Sequence, residues 1–241
     1  MNMCSLPTNQ GKPMKLTLIR HAESERNKTR RGEHFYKDND QKLGTPNHKI
    51  KLTEEGVAQA KQVAKKLFDE SQGEGGSVPH VIFHSGYERS KKTAHIILEE
   101  VTLLAEQSGV TLIIPTEQDH LLRERDAGYG IEMTEDESRG HFPFLNEYWK
   151  FDGMWFAVPP GGESVIQVMD RVNTFLIKLA LSEKLKSKHI WAVTHGRTMS
   201  AFQMVIEKIP FEDADENVVK PHNCATATYE YKEGEWQTLV V

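Results

Sequence analysis

The sequence predicts a three-layer α/β/α sandwich with a largely parallel central sheet and an inserted lobe. Short apolar runs alternate with amphipathic segments of helical period, and each run ends abruptly in charge or histidine, as a buried strand does at a sheet edge. One aromatic-rich stretch without a clean period interrupts the alternation.

Residues 15–20 (KLTLIR) form the first predicted strand. From residue 26 to 51 the chain is polar and irregular, with Gly32, Gly44 and Pro46, and reads as a surface excursion, either a lid or padding. Thr53 then caps a helix with Glu54 and Glu55 in its first turn, and Val57, Ala60, Val63, Ala64, Leu67 and Phe68 give it one apolar face. The run SQGEGGS at 71–77 ends that helix, and residues 80–84 (HVIFH) are the second strand. The sequence from Ser85 to Glu88 has capping-box spacing, with Ser85 read as the cap of a helix that runs to about Gln107 on Ala94, Ile97, Leu98, Val101, Leu104 and Ala105.

Residues 111–115 (TLIIP) are the third predicted strand. A charged stretch over 121–130 leads into residues 132–160, whose aromatics, from Phe142 to Phe156, read as the core of an inserted lobe ahead of a substrate platform. Ser164 opens a long helix reaching about Leu185, residues 190–194 (IWAVT) are the fourth strand, and His195-Gly196 open a further helix to about Ile206. Residues 224–231 and 236–241 finish as a hairpin. The expected organisation is a flexible N-terminus over 1–14 and one domain over 15–241, with insertions at about 28–51 and 131–160.

Composition excludes several classes of function. With 38% hydrophobic and 27% charged residues, the chain is globular in composition. Acids outnumber bases 35 to 30 for a net charge of -5, which argues against a nucleic-acid partner. Cys4 and Cys224 form no CxxC pair, so neither a disulfide framework nor a thiolate zinc site is expected, and a reducing cytoplasmic setting is the default. There is no apolar h-region near the start and no run of about 18 apolar residues, so no membrane partner is expected. The 11 histidines raise a metalloenzyme as an alternative, but no HExxH spacing is present.

In open α/β sheets ligands bind beyond the carboxyl ends of the strands. Here those ends carry Arg20-His21, His84 through Arg89, and Thr194-His195-Gly196. Two histidines and two arginines on one edge suit a phosphoryl group, since arginine offers bidentate donors to phosphate oxygens and histidine can attack phosphorus. A helix starting at Gly196 or at Gly86 adds backbone N–H groups and a positive dipole end to the same anion site.

These residues resemble the histidine phosphatase superfamily, the phosphoglycerate mutase-like proteins of the branch 1 type. Arg20-His21-Ala22-Glu23-Ser24-Glu25-Arg26-Asn27 is similar to its RHGxSxxN signature, with Ala22 in place of the usual glycine. Leu52-Thr53-Glu54-Glu55-Gly56 with Gln59-Ala60 resembles LTxxGxxQA, and Ser85 to Arg89 with Thr93-Ala94 resembles SxxxRxxxTA. Leu122-Arg123-Glu124 ahead of Gly128, Pro160 to Ser164 and Thr194-His195-Gly196 are similar to LxExxxG, PGGES and THG, in the family's order.

The resemblance implies a fold of the class already predicted, a small phosphorylated substrate and no cofactor or metal. By it, His21 is the nucleophile that becomes a phosphohistidine, Arg20, Arg89 and His195 bind the phosphoryl oxygens, and Glu124 is the general acid and base. Asn27, Arg123, Glu163 and Gly196 are the expected substrate contacts, with Glu163 read equally as part of a helix start. Arg123 and Arg125 flank the acid, which raises the expectation of a second anionic group on the substrate.

Members divide into phosphatases, in which water takes the phosphoryl group, and mutases, which return it to a bound sugar acid. Arg26 stands where the mutase pattern RHGESxWN has Trp, and the stretch after Arg123 does not resemble the mutase pattern, so a phosphatase is expected. Mutase-type transfer and a noncatalytic phosphate-binding module are the alternatives, and a homodimer is left open.

Overall fold

The alternation within the apolar runs decides what each sheet face touches, and the computed structural model, which describes residues 12–30, 35–73 and 75–239, shows both faces covered. The strands are β1 (Met14–Arg20), β2 (Val81–His84), β3 (Thr116–Gln118), β4 (His189–Thr194), β5 (Thr226–Lys232) and β6 (Glu235–Thr238). The helices are α1 (Glu25–Arg30), α2 (Glu54–Gln72), α3 (Glu88–Gln107), α4 (Glu135–His141), α5 (Leu145–Phe156), α6 (Val165–Ala180), α7 (Gly196–Glu207) and α8 (Ala214–Asn217). Leu16, Leu18, Val81, Phe83, Ile190 and Ala192 point to one face and pack on Val172, Phe175 and Leu176 of α6 and Phe202 of α7. Ile19, Ile82, Trp191 and Val193 point to the other and pack on Val63 and Leu67 of α2 and Ile97 and Val101 of α3. Each such fully buried side chain contributes about 1.5–3 kcal/mol.

The sheet has six strands in the order β3-β2-β4-β1-β5-β6. The first four are parallel, while β5 pairs antiparallel with β1 and with β6. Register places Arg20 beside Thr194 and His84 beside Val193, so β1, β4 and β2 end level with one another. The three-layer, largely parallel architecture predicted from sequence is the one observed, with the antiparallel hairpin on one edge. Glu233 and Gly234 both have positive φ (56° and 91°), as a two-residue hairpin turn that matches strand twist requires.

Several elements depart from the sequence reading. Residues 111–115 are not a strand: Ile114 is buried, Ile113 is 93% exposed, and pairing with β2 begins only at Thr116, beyond Pro115. Pro115 lacks an N–H but its carbonyl still accepts from Ile82 N, so it leads into β3. Ser85 does not cap α3, whose N-cap is Tyr87 with no side-chain cap bond. The helix from Ser164 has the capping box with Gln167 but stops at Ala180, and residues 183–185 form a separate 3-10 turn. The excursion opens with α1, a helix its polar composition concealed. Of the aromatics expected to form the lobe core, Trp155 alone is buried among the described residues, and Phe144 and Phe151 (89%) lie exposed.

The two insertions hold one another. Arg26 pairs with Glu132, Arg30 donates to the Ile131 carbonyl, and Lys42 meets Glu137 at 2.5 Å. Tyr36 is buried beneath the Arg30 guanidinium, and its N–H donates to Met133 O at 3.1 Å. The expectations placed on residues 1–11, Gly32 and residues 240–241 lie outside the described residues. Among the described residues no helix is long and apolar enough to cross a membrane.

Candidate active site

Three level strand ends bring Arg20-His21, Ser85 and His195 to one edge, and backbone pairing extends past the ladder, with His21 N donating to Thr194 O at 2.9 Å. His21 and His195 are 3% and 0% exposed, and their ring centroids lie 5.0 Å apart. Arg89, in the first turn of α3 and 5% exposed, completes the group.

The hydrogen bonds assign the tautomer of His21. Its Nδ1 lies 2.8 Å from the Ala22 carbonyl, which can only accept, so Nδ1 carries the proton. Nε2 is then the basic nitrogen and accepts from Arg89 Nε at 3.2 Å. Burial, with Arg89 and Arg20 close by, holds the imidazole pKa well below its ordinary value, so the ring stays neutral and keeps its lone pair. Ser85 Oγ accepts from Tyr87 N at 3.3 Å and lies 2.7 Å from His195 Nε2, the one acceptor the described residues offer its hydroxyl proton, so we assign Ser85 as the donor in that pair. The proton of His195 therefore sits on Nδ1, a buried donor with no protein partner among the described residues.

Both arginines are oriented by carbonyls. Arg20 Nη1 donates to Pro221 O at 2.6 Å, and its buried Nε has no protein partner among the described residues. Arg89 Nη1 donates to Asn47 O at 2.7 Å, which ties the excursion to the site. Burial lowers the pKa of Arg89 to about 10, still far above neutrality, so the group remains a cation.

The neighbouring motifs act as scaffolding. Thr93 Oγ1 accepts from Ala22 N at 3.1 Å and Gln59 Oε1 accepts from Glu23 N at 3.0 Å, which fixes the loop after His21. Gly56 permits the approach of α2 to that loop, since a Cβ there would stand 2.1 Å from Glu23 O. Thr194 Oγ1 and Thr198 Oγ1 each donate at 2.7 Å, to Leu122 O and Arg123 O, and so hold the segment that carries Glu124. The half-buried Glu124 carboxylate accepts from Arg125 N at 2.9 Å and from Arg197 N at 3.4 Å, beside Gly196 at the start of α7.

His21, Arg20, Arg89, His195, Glu124 and Gly196 thus surround one edge of the sheet. Arg123 and Glu163 lie beyond it and face each other: Glu163 takes Arg123 Nη2 at 2.6 Å, Arg171 Nε at 3.2 Å and Asp126 N at 3.0 Å. Burial pushes the Glu163 carboxyl up, but Arg171 and these hydrogen bonds outweigh it and hold it below its ordinary value. Glu163 therefore ties residues 123–126 to α6 through Arg171, a buried cation that no motif in the sequence singles out. Asn27 accepts on its Oδ1 from Ser24 N and Ser24 Oγ at 3.2 and 2.9 Å. The sequence reading also missed Asn47 and Asn223, whose only signal is an asparagine in a polar loop.

The chain matches the histidine phosphatase superfamily (branch 1) over residues 16–241 and belongs to that family. It is 30% identical over 197 residues to the 2,3-bisphosphoglycerate-dependent phosphoglycerate mutase of Bradyrhizobium diazoefficiens, covering 80% of this chain and 81% of the relative. The mutase of the same description from Nitrobacter winogradskyi is also 30% identical over 197 residues, with 80% and 81% covered. Among solved structures, the chain is similar to a mycobacterial glucosyl-3-phosphoglycerate phosphatase in complex with VO3 (TM-score 0.64, 20% identity, 95% of this chain and 98% of that one). It is also similar to YhfR of Bacillus stearothermophilus (TM-score 0.68, 22% identity, 94% and 95% covered). At these identities the structural likeness is one of fold.

Proposed function

We propose that the protein is a phosphatase that hydrolyses a small phosphomonoester through a phosphohistidine at His21, without metal or cofactor. The observation that carries the reading is the arrangement around His21 Nε2. A buried neutral nitrogen with a defined lone pair stands among the Arg20 and Arg89 guanidiniums, and buried donors on Arg20 Nε and His195 Nδ1 have no protein partner among the described residues. Orphaned buried donors are costly, and a phosphoryl group is the ligand whose oxygens would satisfy them.

In this reading the Nε2 lone pair attacks phosphorus while the bond to the ester oxygen breaks, and Glu124 protonates the departing oxygen. Ala22 O, holding Nδ1–H, stabilises the charge that the ring acquires. Glu124 then takes a proton from water, whose oxygen attacks phosphorus as the P–N bond breaks, which releases phosphate and restores His21. Arg20, Arg89 and His195 stabilise the charge on the transferring group at both steps.

The mutase names of the curated relatives favour a second reading, in which a bound acceptor takes the phosphoryl group in place of water. Arg26 supports the hydrolytic reading: it replaces the Trp of the mutase pattern and is engaged with Glu132 and with Asn47 Oδ1 at 3.4 Å. The test is phosphate release from a panel of phosphomonoesters, phosphoglycerates included, in EDTA, with His21→Ala as control. Release by the wild type alone supports the phosphatase. Interconversion of phosphoglycerates without release would replace it with the mutase.

A further inference from the structure

Asn223 lies in the loop before β5, far from every motif, yet its side chain reaches the centre of the site. Its Nδ2 donates to the backbone carbonyl of His21 at 3.0 Å and to Oδ1 of Asn27 at 3.2 Å. The loop is fixed against β1: Arg20 donates from Nη1 to Pro221 O and from its backbone N to Ala225 O at 2.9 Å. Ala225 N closes a four-residue turn on His222 O at 3.0 Å, with Cys224 between them at φ 57°, a left-handed backbone that non-glycine residues rarely adopt. A strained turn tied at both ends to Arg20 therefore delivers one amide group to its neighbour, His21.

We propose that Asn223 is a positioning residue that sets the orientation of the Asn27 amide and anchors the backbone of His21. The inference rests on the reading of His21 as phosphoryl acceptor and deepens it. An asparagine amide has an oxygen end and an amino end that neighbours must tell apart. Oδ1 of Asn27 takes donors from Ser24 N, Ser24 Oγ and Asn223 Nδ2, so the oxygen faces the loop and the amino group is turned out of that network. The amino group is then the neutral donor offered to a phosphoryl oxygen. The Ser24 hydroxyl can donate or accept and so does not tell the two ends apart; the Ser24 N–H and the Asn223 amino group can only donate, and Asn223 supplies the second of these two discriminating donors.

Asn223→Asp is the discriminating variant. Both groups that Asn223 faces, His21 O and Asn27 Oδ1, are acceptors, and the new carboxylate opposes both. The repulsion is relieved by rotating the Asn27 amide, which turns its oxygen towards the phosphoryl site and costs the substrate a donor. A lost hydrogen bond to a charged group is worth about 1.5–3 kcal/mol, roughly ten- to a hundredfold. The expected result is a fall in kcat and in affinity for inorganic phosphate within that range, with little change in melting temperature. In an Asn27→Ala background the same substitution lowers phosphate affinity by less than it does in the wild type, because the amide it misorients is gone and only its opposition to His21 O remains.

A fully additive double variant, or Asn223→Asp with unchanged kcat and phosphate affinity, overturns the proposal. If Asn223→Asp does not fold, Asn223→Ala replaces it, with the same loss of affinity and the same non-additivity expected. A wild type that binds phosphate but turns over nothing removes the phosphatase reading and leaves the proposal decided by affinity alone. A wild type that binds no phosphate overturns both.

Discussion

Nε of Arg89 donates to Nε2 of His21 at 3.2 Å, so the nitrogen proposed to attack phosphorus is held by the cation proposed to receive the phosphoryl oxygens. The same guanidinium reaches Asn47 O through Nη1, and two donors on different nitrogens fix its plane. A lysine keeps the charge but has neither the fork nor the reach to serve both partners. Arg89→Lys is therefore expected to lower kcat by about a hundredfold, the scale set by removing one preorganised donor to a developing oxyanion. Steady-state kinetics alongside a melting curve check this; a loss confined to KM would contradict it.

Ser85 was expected to cap a helix, and its hydroxyl instead sits 2.7 Å from His195 Nε2. By donating there it leaves the His195 proton on Nδ1, towards no protein partner among the described residues. Ser85→Ala removes that choice of tautomer. About tenfold lower phosphate affinity and about 1 kcal/mol lower stability are expected, the ordinary worth of one hydrogen bond. Imidazole nitrogen NMR of His195 reports the tautomer directly, and an unchanged spectrum in the variant would contradict the assignment.

His189 supplies a pH dependence away from the site. Its ring bridges Thr17 Oγ1 and Ser77 O, each at 2.8 Å, and burial lowers its pKa to about 4 although the bond to Ser77 opposes the shift. Below about pH 6.5 the unfolded chain binds a proton that the folded chain refuses, so stability is lost as pH falls from there towards about 4. His21 and His195, lowered by burial in the same sense, add to the loss. Melting temperature followed from pH 7.5 to 4.5 should fall less steeply in His189→Gln than in the wild type. Parallel curves would count against the assignment.

Gly56 belongs to the site although it touches no ligand. A methyl group there would lie 2.1 Å from Glu23 O, a backbone atom that cannot swing aside. Gly56→Ala should cost about 1–3 kcal/mol by overpacking. Because the displaced loop leads into α1, which carries Asn27, phosphate affinity should fall with stability, which binding and melting measurements on one variant can show. Lost stability with intact affinity would separate α2 from the site.

Much of this was legible in the sequence because it depends on local pattern. The runs KLTLIR and IWAVT declare their strands by alternation, and the level strand ends follow from parallel order, so Arg20, His21, Arg89 and His195 were placed together before any coordinate. What escaped depends on tertiary pairing. TLIIP has the composition of a strand, yet Pro115 and a single buried side chain make it the approach to β3. Glu163 and Arg123 read as substrate contacts because charge near a site invites it, and the pairing of Glu163 with Arg171, eight residues on in α6, has no motif to announce it. Asn223 is brought to His21 by the β1–β5 pairing, which no spacing in the chain encodes.

The central claim is covalent attachment of the phosphoryl group to His21 Nε2. Rapid-quench mass spectrometry of the protein mixed with a turned-over phosphomonoester, with peptide mapping at alkaline pH and phosphorus NMR to name the nitrogen, tests it directly. The account predicts one phosphoryl group on the peptide containing His21, attached through Nε2 and absent from His21→Ala. Turnover with no modified His21, or with the phosphoryl group on another residue, would contradict it.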